Sequence, residues 1–206
     1  HLGLVLPGEI ESLKEKLNRL AAVLEESIDL DAFLALAYEA PDFTYETPEL
    51  PKLSGEKKVR IGVAEDDAFC FTYRDNFQML KDMGAELVPF SPIKDEALPE
   101  GIDGLILSGG YPELHAKALS ENEDMRGAIH DAVKAGLPCI AECGGFMYLT
   151  QSIAGRAMVG ALPGDCFDTG RLTRFGYITA TARKDNLLCR AGEQVPMHEF
   201  HHWDTP

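Results

Sequence analysis

No run in this chain is apolar for the roughly 18 residues a helix needs to cross a bilayer, and the chain does not open on the basic-then-apolar order of a signal peptide. A protein neither exported nor embedded in a membrane is expected. Positive charge is scarce: 19 Lys and Arg against 34 Asp and Glu give a formal net charge of −15, with no basic run long enough to track a phosphate backbone. Nucleic acid and anionic membrane are thereby excluded as partners. The five cysteines, at 70, 139, 143, 166 and 189, are an odd number without the short paired spacings of a zinc site or a small disulfide scaffold. A reducing, cytoplasmic setting follows. The sequence Gly-x-x-x-x-Gly-Lys-Ser/Thr occurs nowhere in the 206 residues, so no phosphate-cradling loop for ATP is present. Internal repeats and low-complexity tracts are absent too.

What is there suffices for a substantial core, since 45% of the residues are hydrophobic and 26% charged. Between Glu9 and Ala40, Leu13, Leu17, Leu20 and Leu24 recur at three- and four-residue spacing. They predict an amphipathic helix, and Asp29 is placed to cap a second short one through Phe33 and Leu36. From Pro41 to Gly55 the pattern dissolves into Pro41, Pro48, Pro51 and Gly55 among acidic and polar residues, the composition of a linker. The expected organisation is therefore a helical segment at 1–40, a linker at 41–57 and one domain over 58–206.

That domain alternates strand and helix. Val59–Ala64, Glu86–Phe90, Gly104–Ser108 and Pro138–Ala141 read as strands, separated by helical patterns over Tyr73–Met83 and Asn122–Ala135. Parallel neighbours need crossovers, so the fold class is α/β, an open, mainly parallel sheet with helices on both faces. Beyond residue 150, Ala157–Leu162 and Arg174–Ala182 read as β-rich segments that extend or flank this sheet.

The stretch Cys139-Ile140-Ala141-Glu142-Cys143-Gly144-Gly145-Phe146-Met147 is a strand that stops at a cysteine, turns on two glycines and resumes as a helix. It has the form of a nucleophile elbow, in which Cys143 projects from a strained turn with the positive end of a helix behind it. Those conditions favour the thiolate. A second glycine turn, Ser108-Gly109-Gly110-Tyr111-Pro112-Glu113, lies at the carboxyl end of a neighbouring strand, the edge where open α/β sheets bind ligands. Alone it reads as a flexible strand-end turn. Beside the elbow, one of its N–H groups and that of Gly144 form a candidate oxyanion site.

A thiol nucleophile needs a base. His115 and His130 fall in helical or loop segments and read as surface histidines, which leaves the cluster His198-Glu199-Phe200-His201-His202. Through His198, Glu199 and His202 it also matches the zinc-protease pattern, but that pattern needs a helix, and Pro196 with no apolar helical repeat argues against one. No metal site is expected. Cys139 reads as a buried core cysteine, and Arg171, Arg174 and Arg183 as either an acceptor-facing group or solvated surface.

The Ser108–Glu113 loop, the Glu142–Gly145 elbow, Arg174-Phe175-Gly176-Tyr177 and the terminal His198-Glu199-Phe200-His201 occur in one order. In that order they resemble the class I glutamine amidotransferase domain of cobyrinic acid a,c-diamide synthases, over about residues 58–206. The resemblance implies a flavodoxin-like sheet and a glutaminase in which Cys143 attacks the side-chain amide of glutamine. It further implies that His201 is the base and that Gly109, Gly110 and Gly144 bind the oxyanion and glutamine. The glutamate that orients the histidine in class I relatives corresponds to Trp203 here, and the cobyrinate branch is not expected to carry it there, so the resemblance implies a Cys–His pair, with Glu199 and Asp204 as candidates for orienting the ring.

In that family an amino-terminal domain uses ATP and Mg2+ to activate carboxylates of a corrinoid polycarboxylate, which ammonia then amidates. The chain is expected to be a fragment, with residues 1–40 the tail of that synthetase domain and the carboxyl end truncated. By itself it is expected to need no cofactor and to act at most as a glutaminase, with a homodimer as its candidate assembly. Other acceptors, hydrogenobyrinate or nickel-sirohydrochlorin, fit the same resemblance. A catalytically silent docking or oligomerisation domain is the alternative of a different class.

Overall fold

The computed structural model describes residues 10–47, 49–52 and 58–206. The chain divides into two compact units, His1–Glu49 and Leu50–Pro206. In the first, α1 spans Leu13–Ser27 and α2 spans Leu30–Tyr38. Asp29 does cap α2, its carboxylate accepting from the Ala32 N–H at 2.9 Å, which satisfies one of the helix's orphan donors. Neither helix buries a residue, and Leu17, Leu20, Phe33 and Leu36 are all exposed. The regular leucine spacing thus marks a helix without marking what covers it. The linker expected at 41–57 falls partly on residue 48 and residues 53–57, outside the described residues; Pro41 to Glu46 carries no helix or strand.

The second unit is built on a four-stranded parallel sheet in the order β2-β1-β3-β4, with β1 at Arg60–Ala64, β2 at Glu86–Phe90, β3 at Gly104–Leu107 and β4 at Cys139–Ala141. One crossover from β1 to β2 runs through α3 (Arg74–Asp82), and another from β3 to β4 runs through α4 (Ala116–Glu121) and α5 (Glu123–Lys134). These crossovers step across the sheet in opposite directions. Right-handed connections therefore put α3 on one face and α4–α5 on the other, and leave a topological switch point between β1 and β3. The core at this edge is Val63, Ala64, Phe69, Leu105, Leu107, Leu119, Met125, Ile129 and Tyr148, all essentially without solvent contact.

The β-rich expectation beyond residue 150 needs one correction, at Ala157–Leu162, and is narrowed at Arg174–Ala182. Ala157–Leu162 is not a strand beyond the end of β6 (Arg156–Ala157), which pairs with β5 (Ser152–Ile153). Its Met158, Val159 and Ala161 are buried as irregular chain, and the N–H groups of Met158, Val159, Gly160 and Leu162 find carbonyls of residues 148–151 instead of a ladder. The segment containing Arg174–Ala182 does contain a strand, β8 (Arg174–Thr181), but it joins only β9 (Gln194–His201) as an antiparallel ribbon. It does not extend the parallel sheet. A third small sheet, β10-β7-β5-β6, ties the ribbon's end to the core through β7 (Asp165–Asp168) and β10 (Trp203–Asp204).

Candidate active site

Cys143 sits immediately beyond β4 with φ 49° and ψ −111°, a backbone conformation costly for any residue with a side chain. The surrounding chain imposes it. On the strand side the Glu142 N–H donates to the Leu107 carbonyl at 3.2 Å. On the helix side the Gly145 N–H donates to the Glu142 carbonyl at 2.8 Å as α6 (Gly144–Leu149) begins. A Cβ at Gly145 would lie 2.1 Å from the Leu107 carbonyl oxygen, so only glycine lets the helix start this close to β3.

The loop after β3 is fitted to the elbow in the same way. A Cβ at Gly144 would meet Pro112 Cδ at 2.7 Å and the Gly110 nitrogen at 3.1 Å, and one at Gly109 would lie 3.5 Å from Cys143 Cβ. Gly110, at φ 157°, has the Ala68 carbonyl oxygen 2.1 Å from where its Cβ would be. Next to it Tyr111 is fully buried, donates its N–H to the same Ala68 carbonyl at 3.0 Å, and meets the Phe71 ring edge-on at 5.0 Å. Two glycine turns separated by more than thirty residues of sequence are thus pressed together, and the N–H groups of both Gly144 and Gly110 bear on the Cys143 sulfur. This is the pair of donors that an oxyanion site requires.

The charge around the sulfur differs from the sequence expectation. Burial pushes the Cys143 thiol above its ordinary value, the carboxylates of Glu113 and Glu142 push it further, and the N–H groups of Gly144 and Gly110 oppose both. The residue keeps an exposed face, so the sulfur is reachable from solvent although protein surrounds it on other sides. The expectation that the turn favours the thiolate is corrected for this structure, because burial, with the two carboxylates adding to it, outweighs the Gly144 and Gly110 donors. Glu113 is itself raised, by burial first, with its own N–H opposing and Asp168 adding to the rise.

One expected result follows from these signs. With a raised thiol, alkylation of Cys143 by iodoacetamide is slow at neutral pH and climbs as pH passes above the ordinary thiol value. Glu113→Gln removes a negative charge beside the sulfur, so it shifts the midpoint of that pH profile downward and speeds neutral-pH alkylation by about 2- to 5-fold. An unchanged profile would show that Glu113 does not act on the sulfur.

The histidine cluster lies on β9, a strand, so His198 and His202 are not brought onto one helix face, and no group of three potential metal ligands occurs among the described residues. His198 is exposed and stacks its ring near Phe175 and Tyr177. His201 ends the strand, half-buried, and its Nδ1 lies 2.5 Å from the Trp203 carbonyl oxygen. That contact assigns the proton to Nδ1 and leaves Nε2 with the lone pair. Among the described residues no hydrogen bond joins His201 to Cys143. The group that orients the ring is neither Glu199 nor Asp204 but a backbone carbonyl, which residue types cannot reveal.

His115 precedes α4 and His130 lies on α5 bonded to Asp131, both away from the elbow sequence. Cys139 is half-buried in β4 with its thiol pushed up to about 11 by burial, as befits an inert core cysteine. Arg171, Arg174 and Arg183 are exposed.

The glycine loop after β3 and the strained cysteine after β4 both lie within the stretch that a family model matches. The model of the CobB/CobQ-like glutamine amidotransferase domain matches residues 60–205. The chain belongs to that family. Relatives named cobyrinate a,c-diamide synthase include one from Caldanaerobacter subterraneus subsp. tengcongensis, 44% identical over 207 residues. Others come from Clostridium acetobutylicum and Methanothermobacter thermautotrophicus, each 41% identical. In all three the alignment takes in 98% of this chain and 45% of the relative, so the chain spans less than half the length of the curated relatives it matches. Among solved structures, that of PurLQS from Thermotoga maritima aligns at 18% identity with a TM-score of 0.49, covering 71% of this chain and 68% of that one. Membership in the amidotransferase family makes glutamine the substrate class against which the elbow is read.

Sequence reasoning left Glu113 without a role. The signal was its place directly after the Gly109-Gly110-Tyr111-Pro112 turn, where a fitted loop must aim its next side chain at the elbow.

Proposed function

We propose that this chain is the glutamine-hydrolysing part of a cobyrinate a,c-diamide synthase, releasing ammonia for ATP-dependent amidation of a corrinoid polycarboxylate. The observation that carries the reading is the seating of the Gly109-Gly110 loop against the Cys143-Gly144 turn, with the Gly110 nitrogen 3.1 Å from where a Gly144 Cβ would stand. In the reaction the Cys143 thiolate attacks the side-chain carbonyl carbon of glutamine, and the carbonyl oxygen becomes an oxyanion held by the Gly110 and Gly144 N–H groups. Collapse of the oxyanion breaks the carbon–nitrogen bond, the nitrogen takes a proton and leaves as ammonia, and a γ-glutamyl thioester remains. Water then hydrolyses the thioester to glutamate and restores the thiol. The balance is glutamine plus water to glutamate plus ammonia.

His201 is proposed as the group that takes the thiol proton and returns it to the departing nitrogen. Its Nδ1 contact with the Trp203 carbonyl favours the tautomer with Nε2 free to accept, and catalytic contacts in empty sites commonly tighten only around substrate. His201→Ala is expected to lower kcat/KM for glutamine by about 10²- to 10⁴-fold. A His201→Ala chain with activity within a few-fold of the parent assigns the base elsewhere.

The sequence Gly-x-x-x-x-Gly-Lys-Ser/Thr is absent from the chain, so no phosphate-cradling loop of that kind is assigned to it. The activation of the acceptor is assigned to sequence of the kind that makes up the rest of the longer relatives, and no step is routed through it here. The direct test is labelling with a diazo-ketone analogue of glutamine. Cys143 is the expected site, blocked by excess glutamine, and labelling at another cysteine, or at none, would overturn the reading.

A further inference from the structure

We propose that Asp66 is a positioning residue for the oxyanion site, holding the loop after β1 so that the Ala68 carbonyl, bonded to the Tyr111 N–H, and the Phe71 N–H, bonded to the Gly109 carbonyl, fix the peptide that carries the Gly110 N–H beside Cys143. The inference rests on the reading of Cys143 as nucleophile and extends it to a residue that touches neither the sulfur nor the substrate.

Asp66 lies just beyond the end of β1, at the switch point of the sheet, and its half-buried carboxylate is surrounded by donors. Oδ1 accepts from the Ala68 N–H at 2.8 Å and the Phe69 N–H at 3.2 Å, while Oδ2 accepts from Ser91 Oγ at 2.8 Å and the Ile93 N–H at 2.9 Å. Two donors come from its own loop and two from the segment that follows β2. A carboxylate is suited to this because it accepts four charge-assisted hydrogen bonds without offering a donor to clash with any N–H.

The tie then reaches the neighbouring loop. Ala68 and Phe69 are fully buried, with the Phe69 ring 5.3 Å from that of Tyr148 on α6, so the loop cannot shift without opening the core. Ala68 presents its carbonyl to the Tyr111 N–H at 3.0 Å and occupies the space where Gly110 would carry a Cβ. Two residues further on, the Phe71 N–H donates to the Gly109 carbonyl at 3.0 Å, which pins the other side of the same glycine pair. Gly110 is bracketed by these two bonds, and as a glycine it has no side chain of its own to hold its peptide in one orientation. The direction of its N–H is therefore set by the β1 loop, and the β1 loop is set by Asp66. Ser108 to Pro112 alone would leave that N–H free to turn away from the sulfur.

The experiment compares the 206-residue chain with Asp66→Ala and Asp66→Asn, reading the pH profile of iodoacetamide alkylation at Cys143 by peptide mass spectrometry. Losing a negative charge would by itself move the thiol midpoint down, whereas losing the Gly110 donor moves it up, so the sign separates the two effects. In Asp66→Ala the midpoint is expected to rise and neutral-pH alkylation to slow by about 3- to 10-fold, with kcat for glutamine reduced and KM unchanged. Asp66→Asn keeps an oxygen for the Ala68 and Phe69 N–H groups but turns an amide donor toward the Ile93 N–H, so its midpoint is expected to fall between those of the parent and Asp66→Ala. A folded Asp66→Ala chain whose midpoint is unchanged or lower overturns the proposal. Should Asp66→Ala fail to give the parent's near-ultraviolet circular dichroism, Asp66→Glu decides: it retains the charge but displaces the loop by a methylene, and an unchanged midpoint overturns the proposal equally. Alkylation does not depend on glutamine, so a parent chain without glutaminase activity would sink the proposed function while this readout still decides the role of Asp66.

Discussion

Cys143→Ser is expected to lower kcat/KM for glutamine hydrolysis by about 10⁴-fold or more, measured as ammonia released by the purified chain. Serine is close in size and leaves the backbone at φ 49° undisturbed, so the loss reports chemistry and not folding. An alkoxide is far harder to form than a thiolate, and the carboxylates of Glu113 and Glu142, which already oppose ionisation of the thiol, oppose that of a hydroxyl all the more. Residual activity within tenfold of the parent would mean that Cys143 is not the nucleophile. Thermal unfolding of the same variant is expected to coincide with that of the parent.

Gly145→Ala should have the largest effect on stability of any single methyl group added to this chain at the elbow. The new Cβ would sit 2.1 Å from the Leu107 carbonyl oxygen and 2.6 Å from the carbonyl carbon, backbone atoms of a central strand that cannot rotate aside. Relief requires α6 to withdraw from β3, which breaks the contact on which the elbow is built. A loss of about 3 kcal/mol or more is expected, lowering the melting temperature by about 6–12 °C. Gly127→Ala provides the contrast: it lies inside α5 with nothing within 4 Å of the added Cβ, so it should raise stability by about 0.5–1 kcal/mol. Equal melting temperatures for the two variants would contradict the fitted contact between helix and strand.

Much of the site was legible because its signals are local. Strand followed by cysteine and two glycines is a pattern held within a few residues, and β2 and β3 begin where apolar spacing and flanking turns placed them. The Asp29 cap was equally local, since donor and acceptor are three residues apart. What was not legible was of another kind. Arg174–Ala182 has the residue pattern of a strand wherever it pairs, and nothing in that pattern says that its partner is β9 and not the parallel sheet. Ala157–Leu162 is apolar because it is buried, and burial without a ladder looks the same in sequence as burial within one.

The residues themselves determined that Cys143 stands at a strained turn after a buried strand, that a glycine pair follows the neighbouring strand, and that the chain lacks an ATP-cradling loop; each depends on conformational preferences over a few positions. Only the tertiary structure decided what surrounds the sulfur. It seated the Gly109-Gly110 loop at the elbow through the Ala68 carbonyl and the Phe71 N–H, set Glu113 and Glu142 beside the thiol, and gave the His201 ring a backbone carbonyl in place of a carboxylate. Charge and hydrogen-bond direction act through space between segments far apart in the chain, and their sum at one atom has no counterpart in any local pattern of residues.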